Sequence, residues 1–237
     1  MLTTLSRAEL LTRITADPLL SRVFEHVRSL SSNDAAHDVE HLLRVARSTV
    51  ALHEEPAAFR ECVCAALLHD VVNLPKNHPE RARASVMSAS VARELLSSAL
   101  DSASCERVAH AIEDHSYSGG RRPRSALGEA LQDADRLEAL GALGIARTFS
   151  TGVRLEAAYF DAQDPWGEHR ELNDLRFSVD HFFTKLLKLP STFCTERGRA
   201  EARERARILR SFLLALADEI GVPVPAMREG ELRGASL

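Results

Sequence analysis

No stretch of this chain approaches 18 consecutive apolar residues, so no segment reads as a transmembrane helix. Cysteine is sparse, and Cys62, Cys64, Cys105 and Cys194 form no Cys-x-x-Cys pair. That spacing argues against a zinc ribbon or a thioredoxin-type centre. The opening MLTTLSRAELLTRITADP lacks a basic stretch followed by an apolar one, so a secretory signal is not expected. These features point to a reducing cytoplasm and no membrane partner. Basic residues do not exceed acidic ones: 30 Lys+Arg stand against 34 Asp+Glu, a net charge of −4, which excludes the footprint of a general nucleic-acid binder. Glycine (11), proline (9) and aromatics (5%) are all scarce, and alternating Val/Ile/Thr/Tyr runs bounded by turn pairs are almost missing.

Ala, Leu, Arg and Glu fill most of the chain, and these are strong helix formers. Hydrophobic residues at 45% over 237 positions are enough for a packed core without disulfides. The pattern predicts an all-α fold with helices near 6–15, 18–30, 37–54, 56–70, 79–98, 103–115, 124–147, 168–188 and 195–220. Asp17-Pro18 reads as a helix cap with proline at the first helical position, and Thr195 as the cap of the last long helix. Irregular stretches fall at 71–79, 116–124 and 161–167, and the tail VPVPAMREGELRGASL reads as a frayed end. No linker divides the chain, so a single domain over 1–237 is expected.

Seven of the ten histidines fall within residues 37–115. Imidazoles and carboxylates clustered on helices are the donor set of first-row metals. His37 and His41 are four apart, on one helical face. His69 and Asp70 follow the apolar run CVCAALL and precede the irregular VVNLP. They therefore emerge from a hydrophobic wall at a helix end, where adjacent side chains can close on one ion. Asp133 and Asp135 sit in LQDADRLEALGALGIA. Two apart, they point to nearly opposite helix faces, so only one is expected to face inward, and Asp133 also reads as a solvated or capping carboxylate.

The ordered combination of His41 in HDVEHLLRV, His69-Asp70 in ALLHDVV and Asp135 in DADRLEALGALGIARTF resembles the HD-domain metal-dependent phosphohydrolases. HDVVNLPKNHPERARAS, AIEDHSYS and DHFFTKLLKLP resemble its YedJ/YpgQ-like branch. The resemblance implies a helical bundle with an HD core at about 25–150 and C-terminal helices at about 168–220 packed on it. It implies one divalent ion (Mn, Fe, Co, Ni, Mg or Zn) held by His41, His69, Asp70 and Asp135, the last chosen because the family's acid precedes Arg-Leu. It also implies hydrolysis of a phosphate or pyrophosphate bond in a small phosphorylated substrate, a nucleotide in the first instance. Asp70 would orient or deprotonate water, and His110 and His115 would serve catalysis, as phosphate contacts or as ligands of a further ion. Arg44, Lys76, Arg81, Arg83, His181 and Lys185 are the candidate substrate contacts. Other readings remain open: a phosphodiesterase or phosphomonoesterase with the same ligands, or a non-catalytic metal-containing binding module. A homo-oligomer is left open. The chain lacks both the Glu-Asp pair of the (p)ppGpp hydrolases and the Gly-Tyr-Pro triad of the cyclic-dinucleotide phosphodiesterases.

Overall fold

The computed structural model describes residues 2, 4–30, 39–74, 78–116 and 121–233. Among them the regular structure is helical, and the only strand-like pairing is one isolated parallel bridge between Ala158 and Phe177. Among the described residues no helix is long and apolar enough to cross a membrane. The helices are α1 (Arg7–Ala16), α2 (Pro18–Leu30), α3 (Val39–His53), α4 (Phe59–Leu68), α5 (Ala84–Leu96), α6 (Ser102–Asp114), α7 (Ala126–Leu137), α8 (Gly141–Arg154), α9 (Asp180–Thr184), α10 (Glu196–Ile220) and α11 (Ala226–Arg233). They fall into two compact units, residues 2–135 with 194–198, and residues 136–193 with 199–237.

The first unit is organised around α4. Its run from Cys62 to Leu68 is buried throughout, and α2, α3, α5 and α6 pack around it. A helix apolar on every side is stable only when surrounded, and each fully buried leucine such as Leu67 or Leu68 contributes about 1.5–3 kcal/mol. Burial raises the thiols of Cys62 and Cys64 to about 12, so both behave as small hydrophobes, as their apolar neighbours suggest. The cap at Asp17 forms as the sequence implies: its carboxylate accepts from the N–H groups of Leu19 and Leu20 at 3.0 and 3.2 Å, and Pro18 opens α2. Asp101 caps α6 in the same way through the Ser104 N–H at 3.0 Å.

The second unit is built on aromatic packing. Phe182 and Phe183 are fully buried; Phe182 stacks on Phe212 with ring centroids 5.6 Å apart, and Trp166 meets Phe183 edge-on at 6.3 Å. The Trp166 indole donates to the Val222 carbonyl at 3.0 Å.

Three sequence expectations change here. The stretch 124–147 is two helices, because Gly141 adopts a left-handed φ of 71° and the Arg205 guanidinium takes the Leu137 carbonyl at 2.9 Å. The stretch 168–188 is helical only from Asp180 to Thr184, followed by a 3-10 turn over Leu186–Thr192. Its N–H groups have side-chain partners instead: the Asp164 carboxylate accepts from Glu168 and His169, and that of Asp180 from Asn173. Local side-chain acceptors of this kind compete with helix formation. The tail, expected to fray, forms α11, anchored by Arg228 on the Trp166 carbonyl and by Arg210 on that of Glu231.

Candidate metal centre

α4 ends at Leu68, and His69 follows with helical backbone angles. The Val71 N–H returns to the Leu68 carbonyl at 3.2 Å, a tight turn that brings the adjacent His69 and Asp70 side chains together. Their donor atoms, Nε2 and Oδ2, are 3.4 Å apart. The same His69 Nε2 is 3.9 Å from Asp135 Oδ1 on α7, and that oxygen is 3.7 Å from His41 Nε2 on α3. His115, the C-cap that follows α6, places Nε2 3.5 Å from Asp70 Oδ1. Two overlapping groups result, His41–His69–Asp135 and His69–Asp70–His115, each able to hold a metal ion.

Ring orientation is set locally. His69 Nδ1–H donates to the Ala66 carbonyl at 2.8 Å, and His115 Nδ1–H to that of Ile112 at 2.7 Å. A carbonyl only accepts, so Nδ1 carries the proton and Nε2 faces the cluster. Both bonds reach back three residues at a helix end, where carbonyls lack helical partners. The ring centroids of His69 lie 5.4 Å from His41 and 4.9 Å from His115.

Burial, helped by the nearby imidazoles of His115 and His41, holds His69 below the usual histidine range against the opposing charges of Asp70 and Asp135. Burial also opposes charging of His115, but the hydrogen bond and charge of Asp70, then the charge of Asp135 and the Ile112 carbonyl, raise it above that range. Asp70 and Asp135 keep about a third of their side-chain surface exposed (30% and 32%), whereas His41 and His69 are at 1% and 0%. Solvent therefore reaches the cluster from the carboxylate side.

The donors of each of the two groups pass a test of fit to a divalent ion. His69 Nε2 is fully buried and has no hydrogen-bond partner, a cost of about 1–3 kcal/mol for a polar atom left so. Donors about 2.0–2.2 Å from one ion lie at most roughly 4.4 Å apart, and the separations in the His41–His69–Asp135 group (3.7 and 3.9 Å) and in the His69–Asp70–His115 group (3.4 and 3.5 Å) respect that bound.

The two aspartates on α7 divide their roles in a way the sequence reading had only half separated. Asp135 joins the cluster, yet the more deeply buried of the pair is Asp133, with no exposed surface. Its carboxylate accepts from the Cys194 N–H at 2.8 Å, the Thr195 N–H at 2.7 Å and the Thr195 hydroxyl at 2.8 Å. Thr195 in turn accepts from the Gly198 N–H at 2.9 Å, the cap of α10 anticipated from the sequence. Asp133 is thus a capping carboxylate, buried rather than solvated. Gly198 is where the carboxylate packs against the helix, since a Cβ there would lie 2.4 Å from Asp133 Oδ2.

The remaining described candidates are not part of these two groups. His110, on α6, faces Glu106 at 3.6 Å and is not brought into the cluster; five residues from His115, it is rotated by about 140° around the helix. Arg44 lies on α3 near Glu40, whose carboxyl is held low first by Arg7, with Arg44 adding its charge. Arg81 donates to the Asn73 side chain at 3.0 Å and to the Leu74 carbonyl, bracing the loop that leaves Asp70. Arg83 pairs with Glu80 at 2.7 Å. His181 Nδ1–H donates to the Asp174 carboxylate at 2.8 Å, within the second unit, to which Lys185 also belongs. Lys76 and His37 lie outside the described residues.

Sequence reasoning passed over Asp114 and Gln132. Asp114, the residue before His115, is 2% exposed and is gripped by Arg124 through Nε and Nη2, both at 2.8 Å. The visible signal was an acid directly before a histidine in AIEDHSYS.

Residues 38–140, which include all four of His41, His69, Asp70 and Asp135, match the HD domain model. The uncharacterized protein YpgQ of Bacillus subtilis (strain 168) is 32% identical over 197 residues, covering 81% of this chain and 88% of that protein. The chain belongs to the HD-domain family. Among solved structures, an HD-superfamily hydrolase from Bacillus thuringiensis is 29% identical with a TM-score of 0.64, covering 92% of this HD-domain chain and all of that one (100%). B. subtilis YpgQ in complex with ADP is 29% identical with a TM-score of 0.62, covering 84% and 93%. A predicted HD-superfamily hydrolase from an uncultured Thermotogales bacterium is 27% identical with a TM-score of 0.60, covering 91% and 99%. The present HD-domain protein is accordingly a metal-dependent hydrolase of the YpgQ-like branch.

Proposed function

We propose that this HD-domain protein hydrolyses a phosphate or pyrophosphate bond of a nucleotide, with one divalent ion held by His41, His69, Asp70 and Asp135. The observation that carries the reading is the buried, unpartnered Nε2 of His69 set between two carboxylates. The choice of a nucleotide is supported by the ADP complex of B. subtilis YpgQ, 29% identical to this chain. Mn, Fe, Co, Ni, Mg and Zn all suit two imidazoles and two carboxylates.

A divalent ion so held would lower the pKa of a water and polarise a phosphoryl oxygen. The protein's own groups supply the rest. Asp70 offers Oδ2 towards His69 and Oδ1 towards His115, so one carboxylate both completes the donor set and accepts a proton from an attacking water. His115, raised by Asp70, holds a proton at Nε2 for that carboxylate or for a phosphate oxygen. Two imidazoles, two carboxylates and a dication sum to zero charge, which leaves the phosphates to be met by cations such as Arg44 and Lys76. A longer phosphate chain is then the better substrate. Lys76→Ala is expected to raise KM for a nucleoside triphosphate more than for a monophosphate, with metal affinity unchanged; equal effects on both would leave the loop as scaffolding.

The test is a screen of purified, metal-reconstituted protein against nucleotides, sugar phosphates and phosphodiesters. Turnover of nucleoside di- or triphosphates that disappears in Asp70→Ala is the expected result. Turnover confined to phosphodiesters or to sugar phosphates would replace this reading with the corresponding one, and full metal occupancy in Asp70→Ala would overturn the ligand assignment.

A further inference from the structure

Gln132 lies on α7 three residues before Asp135, on nearly the same helix face, and is 2% exposed. Its Nε2 donates to the carbonyl of Asp114 at 3.0 Å and, more weakly, to that of Arg121 at 3.5 Å; its Oε1 accepts from the Cys194 thiol at 3.5 Å. A buried amide is costly unless its groups are paired, and here each end of the amide has a partner.

The Asp114 carbonyl belongs to the peptide group whose nitrogen is that of His115. It is also the last carbonyl of α6, one of those a helix cannot satisfy for itself. The Asp114 side chain is fixed independently by Arg124, which adds its backbone N–H at 3.2 Å to the two guanidinium bonds. Asp114 is therefore held at both ends, and Gln132 is the element of that hold contributed by the helix that carries Asp135. One side chain thereby ties the position of Asp135, which faces His69 and His41, to the peptide that carries His115, which faces Asp70.

We propose that Gln132 is a positioning residue that fixes α7 against the end of α6, so that Asp135 and His115 meet the His69–Asp70 pair at the observed separations. The inference rests on the reading of His41, His69, Asp70 and Asp135 as the metal donors. Outer partners of this kind typically change metal affinity by about 10–100-fold when removed.

The experiment measures Mn2+ binding to metal-free protein by titration calorimetry, together with kcat and KM for nucleotide hydrolysis, in wild type, Gln132→Met, Gln132→Glu and Cys194→Ala. Met keeps the length and apolar stem without donors, and Glu sets a carboxylate against two carbonyl oxygens. The expected result is Mn2+ affinity weakened by about tenfold or more in both Gln132 variants, with kcat falling more than KM rises and far-UV circular dichroism unchanged. Cys194→Ala stays within about twofold of wild type, because only a weak S–H donor is lost. Where Gln132→Met does not fold, Gln132→Asn, which keeps the amide but is one methylene too short to span, takes its place with the same expectation. Wild-type Mn2+ affinity in folded Gln132 variants overturns the inference alone; absence of Mn2+ binding in wild type overturns the metal reading and this inference with it.

Discussion

His69 joins the two halves of the site, since its Nε2 faces Asp70 on one side and Asp135 on the other. Its state is a stability statement as well as a chemical one. The folded pKa lies below the ordinary value of about 6.5, so the unfolded chain binds more protons in the window below that value. The stability owed to neutral His69 is therefore complete above about pH 6.5 and declines as pH falls through it. Metal-free wild type should lose more stability between pH 7.5 and 5.5 than metal-free His69→Gln, read as the shift in urea midpoint; equal losses would mean that His69 does not sit neutral and buried. His115→Ala is expected to lower kcat/KM by well over threefold, more than about 0.7 kcal/mol of transition-state stabilisation; a smaller loss would make the residue structural. At this scale the donor set was legible, because His-Asp after an apolar run announces itself. The division of labour between Asp133 and Asp135 was not, since it depends on a backbone segment 61 residues further on.

At the scale of the helix, α4 was readable from CVCAALL alone: such a run has no polar side to turn to water. The breaks were harder. Gly141 in LEALGALGIA is compatible with a continuous helix until its left-handed conformation is fixed by packing around it, and the side chains of Asp164, Asn173 and Asp180 claim N–H groups that a helical reading assigns to i−4 carbonyls. The junction of α7 with the start of α10 offers a sharp test. Asp133→Ala leaves two amides and a hydroxyl without their acceptor and should cost roughly 2–4 kcal/mol. Gly198→Ala, which in an exposed helix interior would gain up to about 1 kcal/mol, should instead destabilise, since its Cβ collides with the Asp133 carboxylate. Thermal or urea unfolding of the two variants checks both, and a more stable Gly198→Ala would contradict the packing described.

For the molecule as a whole, the all-α architecture followed from composition, because little in the chain could form a sheet. The proposed donors come from α3, the end of α4 and α7, so a bound ion would stabilise the folded arrangement of all three. At a free ion concentration 100 times Kd, binding adds about 2.7 kcal/mol, and for a chain of this size the unfolding midpoint should rise by about 5–10 °C. No rise is expected in His69→Ala.

The most direct test combines occupancy with turnover: Mn2+ bound per chain, and phosphate or pyrophosphate released from a nucleoside triphosphate, measured on the same preparations of wild type and Asp70→Ala. One tightly bound ion with steady release in wild type, and neither in a folded Asp70→Ala protein, is the result predicted. Release that persists undiminished in Asp70→Ala, or an ion that stays bound without Asp70, would contradict the assignment of this cluster as the catalytic metal centre.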